Sequence, residues 1–156
     1  MPPQTTLDRT DCEILALLAK DGRLSNKELA GRIGLAPSSA HARVQRLFEE
    51  GFVAGIHAEL DTQRLGFGLH AMISIQLDQV SAIQSFADGL LSFPEVLDVF
   101  QVSGKEDLLV LVATQDTDHL RNLVMDRLVG EGGVRHVETS IVFRHLRAHD
   151  MPTRAS

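Results

Sequence analysis

SNKELAGRIGLAPSSAHARVQRL, residues 25–47, decides the fold. Ser25 followed three residues later by Glu28 is a capping box, which opens a helix by satisfying two free backbone amides. Leu29, Ala30 and Ile33 recur at helical spacing as its buried side. Gly34 then suits a tight turn that ends it. Pro37, favoured at a first helical position, starts another helix. That second pattern runs to about Glu50, and Gly51 stops it.

Upstream, Asp8 can cap a further helix whose early acids suit the positive end of the dipole. Ile14, Leu15, Leu17 and Leu18 give it an apolar stripe, stopped near Asp21-Gly22. Helix, short helix, Gly-containing turn, helix is the helix-turn-helix pattern, whose second member enters a major groove. At 100° per residue, Ala40, Val44 and Leu47 share the core face of the last helix, with Phe48 beside them. Ser38, Ala42, Gln45 and Glu49 lie opposite, flanked by Ser39 and Arg46. Ser38, Ser39, Gln45 and Arg46 are therefore aimed at DNA. Hydroxyls and a helix N-terminus suit phosphate, while Gln and Arg can read base edges. His41 and Arg43 sit on the flanks, and Arg43 reads equally well as a structural ion-pair residue.

Charge agrees once it is divided along the chain. The 156 residues carry a net −6, but residues 23–46 hold Arg23, Lys27, Arg32, Arg43 and Arg46 against Glu28 alone, a local +4. Such a face can bind phosphate on an acidic protein because distant charges are screened over roughly 8–10 Å. A solvated helix face is the plainer reading of the same charges. With no Trp or Tyr, the chain lacks the base-stacking platforms of single-strand binders. The single cysteine, Cys12, permits no internal disulfide and fits a reducing cytoplasm. Neither a signal peptide nor a membrane span is expected.

Beyond Gly51, residues 52–60 alternate enough for a short strand, a wing or an interdomain strand, and 61–68 read as a linker. Ala71, Ile73, Ile75 and Leu77 alternate as a strand. Ile83, Phe86, Ala87, Leu90 and Leu91 follow helical spacing up to Phe93-Pro94. Residues 96–102 form a second strand, 103–106 a turn, and 108–113 an apolar central strand. Leu120, Leu123, Val124 and Leu128 mark a second helix, closed by glycines, and a last strand spans roughly 134–147. The order β-α-β-β-α-β is the ferredoxin-like split unit. The expected organisation is thus α+β: a winged helix-turn-helix domain over 1–60, a linker over 61–68, a ferredoxin-like domain over 69–148, and a disordered tail over 149–156. Two helices cover only one face of such a sheet, so a second copy is expected to bury the other, making a homodimer.

Taken in order, these residues resemble the leucine-responsive regulatory protein/AsnC (Lrp/AsnC) family of transcription regulators, from about Leu7 to Arg147. The resemblance rests on Leu7-Asp8-x-x-Asp11, Ile14-Leu15, Asp21-Gly22-Arg23, Glu28-Leu29-Ala30, Gly34-Leu35, Arg43-Val44-Gln45-Arg46-Leu47, Gly51, Leu65-Gly66 and Gly104-x-x-Asp107. It implies binding of double-stranded DNA, dimers that assemble into rings of four, and an amino-acid effector held in the C-terminal domain. Gly104 and Asp107 match the family's effector loop, and Ser140, Ile141 and Val142 its pocket wall. From the residues alone, the Gly104–Asp107 segment is also readable as a plain hairpin turn. Three positions depart from the family pattern: Ala36 replaces a Ser before the proline, Ala42 an Arg on the exposed face, and Glu106 and Leu108 aromatic residues around the Asp.

An enzyme reading finds little support. His41, His57, His70, His119, His136, His145 and His149 lack the spacing of a metal site on any expected helix, and no nucleophile or phosphate-binding motif stands out. No cofactor or metal is expected. The remaining rival is a ligand-binding or assembly protein whose basic helices contact another protein.

Overall fold

The computed structural model describes residues 6–130 and 132–148. The expected disordered tail at 149–156 lies outside the described residues. Two compact units divide between Glu59 and Leu60, with residues 146–148 grouped with the first.

In the first unit, α1 (Arg9–Lys20), α2 (Asn26–Ile33) and α3 (Pro37–Glu49) form the expected trio. Two of the three starts are capped from both sides. Asp8 accepts from the Asp11 amide at 2.8 Å, while Asp11 accepts from the Asp8 amide at 3.2 Å. Ser25 and Glu28 repeat the exchange at α2. The third start has no side-chain cap at Ala36 and relies on Pro37. Gly34 ends α2 at φ 69°, a left-handed conformation that costs glycine least. Ile14, Leu29, Ala30, Ala40 and Leu47 are buried together where the three helices meet. That fixes which side of α3 faces out.

The strand expected over 52–60 does not form. After the Phe52 and Val53 amides bond to the Leu47 carbonyl, the chain has, among the described residues of its unit, no neighbouring strand to share a ladder with. Ile56 rests instead on the backbone of Gly22, where a Cβ would lie 2.6 Å from its Cγ2.

The second unit is an antiparallel sheet in the order β2-β3-β1-β4. Its strands are β1 (Leu69–Leu77), β2 (Val96–Gln101), β3 (Leu108–Thr114) and β4 (Val134–Ile141). A short 3-10 turn leads into α4 (Ile83–Leu90). The crossover α5 (Thr117–Asn122) continues as a wider π-type winding over Leu123–Val129. Ala71, Ile73, Ile75 and Leu77 of β1 and Leu108, Val110 and Val112 of β3 pack against Ile83, Leu90, Leu120, Leu123 and Leu128. This is the ferredoxin-like arrangement expected from the strand and helix order.

One boundary differs from expectation. β4 stops at Ile141 rather than near 147, because β1 begins at Leu69 and offers only the His70 carbonyl to the Val142 amide. The 61–68 stretch, expected as a linker, forms a turn. Leu65 and Phe67 amides bond back to Asp61 and Thr62, and Thr62 Oγ1 meets His70 Nε2 at 2.6 Å.

Opposite the helices, the registers put Asp98, Phe100, Leu109, Leu111, Met72, Ser74, Gln76, His136, Glu138 and Ser140 on the other sheet face. Its β2–β3 half is mostly apolar and its β4 half polar.

Candidate DNA interface and effector loop

With Ala40 and Leu47 sealed at 0 % exposure, α3 has only one face left to present. Ser38, Ser39, His41, Ala42 and Gln45 are exposed on it, and Lys27 is exposed on α2. Ser38 and Ser39 sit in the first helical turn, where free amides and the positive dipole end favour an anion. His41 is linked to Asn26, whose Nδ2 lies 2.8 Å from His41 Nδ1.

The two arginines are placed differently from their neighbours. Arg43 Nη1 reaches Asp8 Oδ2 at 2.7 Å and Asp11 Oδ1 at 2.8 Å. Arg46 Nη2 reaches Asp11 Oδ2 at 2.6 Å, with Glu50 3.7 Å from Nη1. Both arginines are thus paired within the protein, with about a third of each side chain still exposed. The reason is Asp11, which is 1 % exposed. A buried carboxylate must be paired and hydrogen-bonded, and these guanidinium groups are its partners. Burial alone would push the Asp11 carboxyl up. Hydrogen bonds from Arg46, Arg43 and the Asp8 amide outweigh that and hold it below the usual carboxylate range. Both arginines are correspondingly pushed up, Arg43 by Asp8 and Asp11, Arg46 by Asp11. The cluster ties α1 to α3 and fixes the angle at which α3 is shown.

The residues expected to hold an effector separate into two places. Gly104 has φ 142°, which favours glycine, and lets the chain turn between β2 and β3. β1 shifts register at Gln76/Leu77, and there Asp107 Oδ2 accepts from the Leu77 amide at 2.8 Å. The Asp107 amide in turn donates to the Ile75 carbonyl, and Gln76 Nε2 donates to the Lys105 carbonyl at 2.7 Å. Asp107 thus satisfies an amide that the bulge leaves unpaired. Ser140 and Ile141 pair instead with Met72 and Ala71, and Val142 with His70. Leu77 and Met72 stand five positions apart on β1, roughly 17 Å at strand rise. One chain does not bring Asp107 together with Ser140, Ile141 and Val142.

Asn26 is a residue of this surface that the sequence reading did not single out, and Asp11 was read only as an early helix acid and a family-motif position. Asp11 carried one usable signal, its place as the acidic third helical residue after the Asp8 cap; Asn26 carried none. Among the described residues no group of three or more His, Cys, Asp or Glu could hold a metal ion, and no helix is long and apolar enough to cross a membrane.

Residues 7–54 match the winged helix-turn-helix DNA-binding family, and residues 70–152 match the Lrp/AsnC ligand binding domain. The chain is 39 % identical over 143 residues to the HTH-type transcriptional regulator AldR of Mycolicibacterium smegmatis, covering 90 % of this chain and 84 % of that one. It is 33 % identical to the transcriptional regulator AzlB of Bacillus subtilis, covering 87 % and 88 %. Its fold superposes on a transcriptional regulator of Neisseria meningitidis, solved as a complex with L-Met, with TM-score 0.85 and 33 % identity over 92 % of this chain and 94 % of the other. The chain belongs to the Lrp/AsnC family and is a helix-turn-helix DNA-binding transcriptional regulator with a C-terminal ligand-binding domain.

Proposed function

We propose that this regulator works as a homodimer that lays the exposed face of α3 in the major groove and changes its DNA binding when an amino acid occupies the sheet domain. Ser38 and Ser39 serve phosphate, Gln45 and His41 face base edges or phosphate, and Lys27 adds charge from α2. Arg43 and Arg46 hold the helix rather than touch bases. The observation that carries this reading is the division of α3 into a sealed side, Ala40 and Leu47, and an outward polar side from Ser38 to Gln45. Two such helices in a dimer would meet half-sites about one helical turn apart, ~34–36 Å, or multiples of it. Working on chromosomal DNA, the protein would act in the cytoplasm.

The amino-acid effector is supported by the ligand-binding domain match and by the L-Met held by the Neisseria meningitidis relative. Because Asp107 and the Ser140–Val142 segment stand apart in one chain, a pocket using both needs residues from more than one subunit. This is consistent with dimers joining into larger rings. No catalytic role or cofactor is assigned.

Fluorescence anisotropy with a duplex selected from a random-sequence pool tests the DNA half. Several phosphate contacts predict a steep linear fall of log affinity with log salt. A flat response, or equal binding to an acidic polypeptide, favours a protein partner instead. A thermal-shift screen of the twenty amino acids tests the effector half, since a ligand of the native state raises its melting temperature. No shift with any of them overturns it.

A further inference from the structure

We propose that Asn26 is a positioning residue that holds His41 Nδ1 as an acceptor and so leaves the ring proton on Nε2, a donor offered to a hydrogen-bond acceptor on DNA. The inference rests on α3 being the DNA-facing helix, as above, and adds what sets the chemistry of one of its side chains.

Asn26 is the first residue of α2, and His41 is the fifth of α3. Their 2.8 Å bond therefore joins the starts of the two helices of the helix-turn-helix. An amide nitrogen has donors and no lone pair to give, so the ring atom it faces must accept. With Nδ1 accepting, the neutral ring carries its proton on Nε2. Among the described residues no protein group accepts from Nε2, and His41 is exposed on the same side as Gln45. Asn26, His41, Val44, Gln45, Phe48 and Glu49 line the groove here, and Glu49 is its one acidic side chain.

A donor held this way matches acceptors: a phosphate oxygen, or in the major groove the N7 and O6 of guanine, the N7 of adenine or the O4 of thymine. It is not matched to the exocyclic amines of cytosine or adenine. The tautomer therefore acts as a selector, which a ring free to place its proton on either nitrogen would not be.

Nitrogen-15 NMR of the imidazole, in the full chain at about pH 8 where ordinary histidines are neutral, reads the tautomer directly. The Nε2–H form is expected for wild type, a mixture for Asn26→Ala, and the Nδ1–H form for Asn26→Asp, whose carboxylate can only accept. Wild type in the Nδ1–H form overturns the proposal. A double-mutant cycle then reads affinity for the selected duplex. Asn26→Ala should weaken binding about three- to tenfold, and His41→Ala at least as much. The double variant should be no weaker than His41→Ala alone. Additive losses overturn the proposal, because Asn26 would then act independently of the ring. Loss of preference at one base pair in His41→Ala assigns the acceptor to a base edge. Uniform loss across sequences assigns it to phosphate. Wild type that shows no salt-dependent duplex binding removes both the DNA role and the reading beneath it, while the tautomer measured by NMR stands.

Discussion

Arg46 Nη2 sits 2.6 Å from Asp11 Oδ2, and the other oxygen of the same carboxylate takes Arg43 at 2.8 Å. One buried acid on α1 thus holds two arginines of α3. Removing it takes the shared buried partner from both guanidinium groups, leaving Arg43 with Asp8 and Arg46 with Glu50, and deletes the Asp11 half of the reciprocal cap of α1. Asp11→Ala should lower stability by about 2–4 kcal/mol, less than a fully buried pair because each arginine side chain is a third exposed. Urea unfolding followed on the helical signal measures it. A loss under 0.5 kcal/mol would show the cluster to be ornamental.

The same carboxylate sets a pH dependence. Its folded pKa is depressed, so its contribution is fully present above the ordinary carboxylate value of ~3.9 and is lost as pH falls toward the lower folded value. Wild type should therefore lose more stability than Asp11→Asn between about pH 5 and 3. Parallel acid-unfolding curves for the two proteins would contradict this assignment.

Ala36 precedes Pro37 with extended backbone and supplies no side-chain cap to α3, unlike Asp8 and Ser25 at the other starts. Ala36→Ser adds an acceptor to that helix's free amides. A gain of about 1 kcal/mol is expected, read as a higher melting temperature of the first unit. DNA affinity should not fall, since the added hydroxyl lies before the exposed face.

Much of this was legible before the structure. Helices were marked by caps and stops that act locally: Asp8, Ser25-Glu28, Gly34 and Pro37. β1 and β3 were marked by alternation or an unbroken apolar run. What escaped depends on partners distant in sequence. Arg46 looks outward on a helical wheel, and only the burial of Asp11, 35 residues away, draws it back. The 52–60 segment alternates like a strand, but a strand also needs a neighbour, and alternation cannot supply one. Asp107 and Ser140 both read as loop or wall residues, yet the register along β1 sets them at opposite ends.

Asp107 serves the Leu77 amide whatever else it does, so its two roles need separate variants. Asp107→Ala should cost about 1–2 kcal/mol by leaving that buried amide unpaired. Asp107→Asn keeps an oxygen acceptor and should stay within about 0.5 kcal/mol of wild type, while removing the charge an α-ammonium would meet. A lost effector-induced thermal shift in Asp107→Asn, with the fold intact, places the effector's amine at this carboxylate. An undiminished shift confines Asp107 to the hairpin.

On the sheet face away from the helices, Phe100 is 47 % exposed and lies across the ladder from Leu109. A ring exposed on an edge strand beside an apolar central strand is poorly placed for water and well placed for a second sheet. Phe100→Glu adds a charge where the helix-covered core does not reach, so the unit should still fold. In a dimer built on this face the charge would be desolvated without a partner. Sedimentation should show wild type as a dimer or larger and Phe100→Glu shifted toward monomer, with DNA affinity falling as the two recognition helices uncouple. Wild-type and variant masses that agree would move the subunit contact to another surface.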